Sequence, residues 1–496
     1  MKVRLRFAPS PTGYLHIGSV WTALFGWMYA QRHDGDFILR IEDTDTRREV
    51  EGAVQYMMDG LRWFGIEWDE GPDVGGPYGP YVQTQRAALY QEWANWLVEN
   101  DHAYKCFATP EELQEIRKEL EAKGDYSGYD RRYRDLPATE VAALVAAGKP
   151  YTIRFKMPLE GLTIVRDLLR GDVEFENKQI TDYVLLKSNG LPTYHLAVVV
   201  DDHFMKISHV TRGIEWLSTA PLHVRLYEAF GWEMPVLVHF PVILSPSGKG
   251  KLSKRTQAFL DSGEKVLVRA DEFRVAGYLR EALLNFLINV GWHFGDDVEK
   301  FSVEEAIARF DLADISPSPV KLPYSKLDWL NGQYIQELSP AELAGAITPH
   351  LEDAGFEVET SSLLPLMPAL SVRLKRLTEA VDQLRFLYDD ELPTYVVDDL
   401  THRKMGQAAA RQAFQETREL VASLDDPLLV DALDAGMREI GERNTDNNSA
   451  GPFLGTARFA ITGQQVSPPL FESMAALGKE HCLRRLDNII AVLSQA

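Results

Sequence analysis

The sequence predicts an α/β protein whose parallel sheet is split by an α+β insertion and followed by an all-helical C-terminal region. Three observations predict it. Residues 3–8, VRLRFA, alternate like a strand, and a glycine-containing loop, SPTGYLHIGS, follows. Val20, Leu24, Phe25, Met28 and Tyr29 then recur at helical spacing before a second strand, FILRIED. That β-loop-α-β order implies parallel pairing with helices on the sheet faces. From about 101 to 190 the pattern changes to mixed helix and hairpin signals. Beyond about 260 strand patterns thin out, and 278–290, 341–355, 371–388 and 407–424 carry helical spacing.

The elements follow in order. Helical stretches near 50–64 and 86–99 flank the loop DEGPDVGGPYGPY. ATPEELQEIRKELEAK reads as a helix with a capping box, Thr109 as N-cap, Pro110 at the first turn and Glu112 three residues on. A basic loop, YDRRYRDLP, comes next, and Asn189-Gly190 signals a hairpin. HLAVVVDD reads as a buried parallel strand, STAPLHVRLYEAFG as a helix with Pro221 near its start, and VLVHFPVIL as a further strand. There is no internal repeat and no low-complexity tract. The predicted boundaries are 1–100 and 191–250 for the split sheet domain, 101–190 for the insertion, 251–325 for a connecting region and 326–496 for the helical region.

Composition narrows the class. With 496 residues, the chain is long enough for several domains, and it has no apolar run long enough to span a bilayer. It begins MKVRLR, straight into a strand pattern with no secretory segment, and its two cysteines, Cys106 and Cys482, lie far apart. A cytoplasmic protein is expected. The net charge of −21 argues against a nucleic-acid partner unless a local basic surface exists. DRRYRD at 130–135, with Arg131 and Arg132, and RLKR at 373–376 are the candidate surfaces. Tyr129 and Tyr133 are candidates for stacking on unpaired bases. A solvated charged face is the alternative for each cluster.

The loop at 10–19 sits at a strand end, ahead of a helix N-terminus whose free amides and dipole suit a phosphate. Gly13 and Gly18 allow close approach, and Thr12, His16 and Ser19 add hydrogen-bonding groups. A locally satisfied turn is the other reading. A second segment, SGKGKLSKR at 247–255, follows the last predicted strand and carries Lys249, Lys251, Lys254 and Arg255. A triphosphate between the two would meet amides on one side and ammonium groups on the other, as attack at an α-phosphate needs.

HIGS and KLSKR resemble the two signatures of class I aminoacyl-tRNA synthetases, HIGH and KMSKS. RFAPSPTGYLHIGS, RIEDTD, PTYHLAVVVDDH, TRGIEWLSTAP and KLSKR occur in the order typical of the glutamyl-tRNA synthetase family. The resemblance is close over about the first 335 residues and looser beyond; Ser19 replaces the second histidine of HIGH. It implies a Rossmann-like catalytic domain, an acceptor-end-binding insertion and a helical anticodon-binding region. The implied reaction joins L-glutamate and ATP, with Mg²⁺, into glutamyl-adenylate and then loads tRNA(Glu). A monomer is the family expectation. By matching positions, Thr12, His16, Gly18 and Lys251 would hold ATP, and Ser253 and Lys254 would close on the transition state. Arg6, Ala8, Ser10, Glu42, Tyr194, Arg212 and Trp216 would form the glutamate site, with Glu42 on the α-ammonium group. Asp45, Arg131, Arg132 and Arg373 would contact tRNA, Arg373 reading the last anticodon base.

Chemistry supports the glutamate site independently. A substrate with two carboxylates and one ammonium needs cations, here Arg6 and Arg212, and an anion. A structural salt bridge is the alternative for Arg212. For Glu42, Asp43 and Asp45 a catalytic or metal-binding carboxylate pair is the rival reading, and a solvated loop the plain one for the two aspartates. A lone cysteine in YKCFATP, with Ala108 where a second might stand, predicts no zinc. Among rival functions, a glutaminyl enzyme conflicts with Arg212, a nucleotidyl transferase leaves the helical C-terminal region without a purpose, and an intact KLSKR opposes a non-catalytic relative.

Overall fold

The computed structural model describes residues 2–45, 47–124, 128–245, 250–252, 259–260, 263–295, 297–389, 393–446 and 448–495. Two compact units emerge, Met1–Glu272 with Leu284–Pro323, and Phe273–Leu283 with Tyr324–Ala496.

In the first unit β1 (Arg4–Phe7), α1 (Ile17–Arg32) and β2 (Asp36–Leu39) form the expected unit, with β1 and β2 parallel and Arg4 opposite Asp36. Helices α2 (Ala53–Trp63) and α3 (Ala87–Glu99) follow. The next segment contains β3 (Ala103–Cys106), α4 (Pro110–Ala122), α5 (Ala138–Ala146), β4 (Thr152–Phe155), β5 (Leu162–Asp167), β6 (Gly171–Glu176) and β7 (Val184–Leu186). The Thr109 capping box forms as read. The Asn189-Gly190 turn forms too, with Gly190 at φ 80°, and a bridge between Leu186 and Pro192 closes it.

After the turn come α6 (Tyr194–Phe204), β8 (His209–Gly213), α7 (Ala220–Phe230) and β9 (Val236–Phe240). Two expectations are corrected here. HLAVVVDD is a helix, not a strand. Leu196 to Val200 are all buried, in one core with Tyr90, Leu97, Leu222 and Leu226. Five consecutive apolar residues, Leu196–Val200, cover every side of the helix there, so the run lacks the period that would mark it as helical. VLVHFPVIL is not one strand either. Pro241 has no N–H to continue the ladder, and the chain pairs anew at Ile243 with Val320.

The sheet orders itself around β8. β9 runs parallel to β8, β5 joins β9 in parallel at Asp167–Leu237, and β6 closes the far edge antiparallel to β5. On the near side the Ser208 N–H donates to the Arg4 carbonyl at 2.9 Å, setting β1 beside the start of β8. The strand ends that face the loop at 10–19 therefore belong to β1, β8 and β9. Trp21, Phe25 and Phe240 pack between α1 and the sheet, with ring centres 5.0–6.0 Å apart.

The second unit is helical among its described residues, including Tyr324–Ile335, Pro340–Asp353, Gln407–Ser423, Val430–Arg443, Gly451–Thr462 and Lys479–Gln495. The expectation of one helix through 371–388 is corrected. Met367–Ser371 and Glu379–Leu384 are separate helices, and Arg373 lies in the turn between them. That turn has its own anchors: Asn331 donates to the Lys375 carbonyl at 2.6 Å, and the Glu379 carboxylate accepts the Lys375 N–H at 2.9 Å. Side chain–backbone bonds of this kind compete with helix continuation.

Candidate active site

A cavity of about 820 Å³ opens at the ends of β1, β8 and β9. Its walls bring together Arg6, Ala8, Ser10, Thr12, His16, Gly18, Glu42, Asp45, Tyr194, Arg212, Trp216 and Lys251. Ser253 and Lys254 lie outside the described residues.

On one wall His16 caps α1, its Nδ1 accepting the Gly18 N–H at 2.9 Å. The loop is pinned by the Ile17 N–H on the Val268 carbonyl and the Ala270 N–H on the Leu15 carbonyl, both 2.9 Å. The Arg269 guanidinium lies over the Tyr14 ring at 3.4 Å. Lys251 pairs with Glu215 at 2.7 Å across two half-exposed side chains, a contact weak enough to exchange for a phosphate.

The opposite wall carries Arg212, which is buried. Its Nε donates to His239 Nε2 at 3.0 Å; its Nη1 reaches His223 Nδ1 at 3.0 Å and the Tyr194 hydroxyl at 3.3 Å. Its Nη2 has no hydrogen-bond partner. Arginine is donor-only, so both imidazoles must accept from it and stay neutral. His239 then holds its proton on Nδ1, donating to Asp167 at 2.7 Å, and His223 holds its own on Nε2, toward His195 Nδ1 at 3.1 Å. Burial, with the nearby guanidinium, pushes the His195 pKa down to about 4 and lowers those of His223 and His239. Arg212 thus makes no structural salt bridge among the described residues. The Tyr194 ring lies 4.1 Å from Trp216 and forms the adjoining face.

Arg6 differs. It too lines the cavity, but Nε and Nη2 bond Asp202 at 3.0 and 3.3 Å and Nη1 bonds the Thr211 carbonyl at 3.2 Å. Asp202 also takes Arg40 Nη1 at 2.7 Å, and Arg40 Nη2 donates to Glu42 at 3.1 Å. Burial raises the Glu42 carboxyl pKa to about 7 despite these guanidinium groups. Asp43 is not solvated, because it accepts the Thr84 N–H at 2.8 Å, whereas Asp45 is exposed. Among the described residues no group of three or more His, Cys, Asp or Glu could hold a metal.

Comparison with known proteins decides the family. The model for the catalytic domain of class I tRNA synthetases (E and Q) matches residues 2–329, and that for an anticodon-binding domain matches 339–490. The glutamate–tRNA ligase of Roseiflexus castenholzii is 45% identical, covering 100% of this chain and 97% of its own. That of Chloroflexus aurantiacus is also 45% identical, at 99% and 98%. The glutamate tRNA ligase of Elizabethkingia meningosepticum, solved with its amino acid, superposes with a TM-score of 0.84 at 35% identity over 99% of this chain and 100% of that one. The chain belongs to the glutamyl-tRNA synthetase family.

Arg131 and Arg132, assigned from the synthetase resemblance, are not in the cavity wall. Arg131 is turned inward, donating to the Ile180 carbonyl at 2.7 Å and to the fully buried Asp182 at 3.2 Å. Arg132 is exposed and pairs with Asp130 at 2.9 Å. Tyr129 is corrected as a stacking candidate: it is buried, bonded to Cys106 and covered by Arg154 at 3.9 Å. Arg373 is exposed, with Nη1 on the Ser467 carbonyl at 2.8 Å. Sequence reasoning missed His223, His239 and Asp167, which hold the pocket arginine of this synthetase. Each sits in an ordinary strand or helix pattern with no spacing signature; the register of β5, β8 and β9 brings Asp167 and His239 to Arg212, and the packing of α7 brings His223.

Proposed function

We propose that the chain activates L-glutamate with ATP to glutamyl-adenylate and transfers the glutamyl group to the terminal adenosine of tRNA(Glu). The observation that carries this reading is Arg212, a buried guanidinium in the cavity wall with neutral partners and one nitrogen that has no hydrogen-bond partner. Such a group suits the side-chain carboxylate of glutamate and gains little from the amide of glutamine. Tyr194 and Trp216 flank it, and Glu42 receives the α-ammonium group. Arg6, with N–H groups beyond those bonded to Asp202 and Thr211, lies by Ala8 and Ser10 on the side of the substrate α-carboxylate.

In the first step a carboxylate oxygen of glutamate attacks the α-phosphorus of ATP. An O–P bond forms, the bond to the β-phosphate breaks, and pyrophosphate departs. Thr12, His16 and Gly18 with the α1 N-terminus, and Lys251 from the opposite wall, supply donors for the charge that develops, with Ser253 and Lys254 of the same motif assigned to the same task from the sequence. Mg²⁺ enters with the nucleotide. In the second step a terminal adenosine hydroxyl attacks the glutamyl carbonyl and AMP leaves. Asp45, Arg132 and Arg373 are proposed to serve the tRNA, in a cytoplasmic monomer with no zinc; Arg131, bonded to Asp182 and the Ile180 carbonyl, would shape that surface from within. Binding of tRNA would shift the ATP site into its productive form.

The test is ATP–pyrophosphate exchange with glutamate and with glutamine, with and without purified tRNA(Glu). Glutamate-dependent exchange that needs tRNA is expected. Exchange with glutamine alone would overturn the substrate assignment, and full exchange in RNA-free protein would overturn the tRNA requirement.

A further inference from the structure

Beside Glu42 lies a buried amide to which no role has been assigned. A parallel bridge pairs Ile41 with Val82, the Ile41 N–H donating to the Tyr81 carbonyl at 2.9 Å and the Gln83 N–H to the Ile41 carbonyl at 3.0 Å. Glu42 follows Ile41 in the bridge, and Gln83 follows Val82 and opens a short 3-10 helix, Gln83–Arg86. Both are buried and both line the cavity.

The orientation of the Gln83 amide is fixed by what it touches. Its Nε2 donates to Asp201 at 3.0 Å. Asp201 is completely buried and also accepts Arg86 Nε at 2.7 Å and the Tyr90 hydroxyl at 2.8 Å. An ionised carboxylate only accepts, so the nitrogen, not the oxygen, must face it. The Gln83 Oε1 is left on the other side of the amide, with no hydrogen-bond partner. A buried carbonyl without a donor is costly, and native proteins keep few of them.

We infer that Gln83 is a second acceptor for the α-ammonium group of the substrate, supplying a neutral carbonyl next to the Glu42 carboxylate. This inference rests on the glutamate reading above. The ammonium group has three N–H donors, and one Glu42 oxygen already accepts from Arg40. A neutral second acceptor fits better than a second carboxylate, since two anions side by side would oppose each other's ionisation. The pair selects an amino diacid over a dicarboxylic acid of the same length without the amine. Against such a diacid the Gln83 carbonyl would be left desolvated without a donor, and Glu42 would keep only its bond from Arg40.

The test compares glutamate with glutarate, which lacks only the amine. In tRNA-supported pyrophosphate exchange, the KM for glutamate and the inhibition constant of glutarate are measured for the wild type and Gln83→Met. Gln83→Met should weaken glutamate about tenfold and leave glutarate within about twofold, the size of one hydrogen bond to a charged group. Gln83→Asn, which draws the carbonyl back by one methylene, is read the same way should Gln83→Met not fold, thermal melting reporting which variant is native. Equal weakening of both diacids, or an unchanged preference, overturns the inference and leaves Gln83 as a support for Asp201. A wild-type enzyme without glutamate-dependent exchange overturns the underlying reading as well.

Discussion

Replacing Arg212 by glutamine should collapse the preference for glutamate over glutamine. The guanidinium is held by His239, His223 and Tyr194 at 3.0–3.3 Å, and no carboxylate among the described residues neutralises it. A bound side-chain carboxylate would be its only nearby counter-charge on that wall. Truncating one partner of a buried, hydrogen-bonded charge pair costs about 2–5 kcal/mol, or roughly 30- to 5,000-fold in kcat/KM for glutamate. Glutamine, which never formed the pair, should lose far less. Arg212→Lys keeps the charge but not the fork, and it should fall between the two. The assay is tRNA-supported exchange with each amino acid, with melting curves to show that the variants are folded. A ratio of the two kcat/KM values within about threefold of wild type would remove Arg212 from substrate recognition.

Four further outcomes are expected. Glu42 must be ionised to hold the ammonium group, and burial raises its pKa to about 7; KM for glutamate should therefore rise as pH falls below 7, and Glu42→Gln should flatten that profile. The same raised value favours the protonated folded state, so its contribution to stability is complete below the ordinary carboxyl range and is lost as pH rises through 7. Lys254→Ala should lower exchange about a hundredfold or more while sparing ATP binding, as removal of a transition-state donor does; near wild-type exchange would refute the role. Arg373→Gln should raise charging of glutamine tRNA relative to glutamate tRNA, by up to the roughly 1–3 kcal/mol of one bidentate base contact; equal loss on both tRNAs with a shallower salt dependence would make Arg373 a backbone contact. Asp182→Ala strands Arg131, Arg134 and Tyr104, which all donate to this buried carboxylate; a loss of about 3–5 kcal/mol is expected in denaturant unfolding, and an unchanged transition would refute it.

The legible parts of the sequence were those with a local physical cause. The α1 loop, the Thr109 capping box and the Asn189-Gly190 turn depend on residues a few positions apart, and all three formed. The errors came where the environment overrode local pattern. The run Leu196–Val200 of α6 is apolar on all sides and so reads like a strand. Pro241 ended a strand that hydropathy alone would carry through. The turn at Arg373 is set by Asn331, more than forty residues earlier in the chain. The candidate site divides in the same way. Residues within motifs converged on one cavity, whereas the histidines around Arg212 and the amide of Gln83 take their meaning from strand register and from bonds across the fold. Charge counting also treated Arg6 and Arg212 alike; only their partners separate a guanidinium bound to Asp202 from one left uncompensated.

The position of Asp167 has a consequence for how the enzyme opens. It ends β5, which joins β9 in the sheet, and its carboxylate accepts both the backbone N–H and the ring N–H of His239 on β9. It also accepts the N–H groups of Leu169 and Arg170, which turn the chain into β6. Fraying of the β5–β6 hairpin would therefore release His239 and loosen the bond that fixes Arg212. The hairpin and the strand behind the pocket should behave as one cooperative unit in native-state hydrogen exchange, with amides at 162–167 and 236–240 sharing a common opening free energy. The β5–β6 hairpin is then not an appendage that can breathe on its own: its local unfolding and the loosening of Arg212 would be the same event.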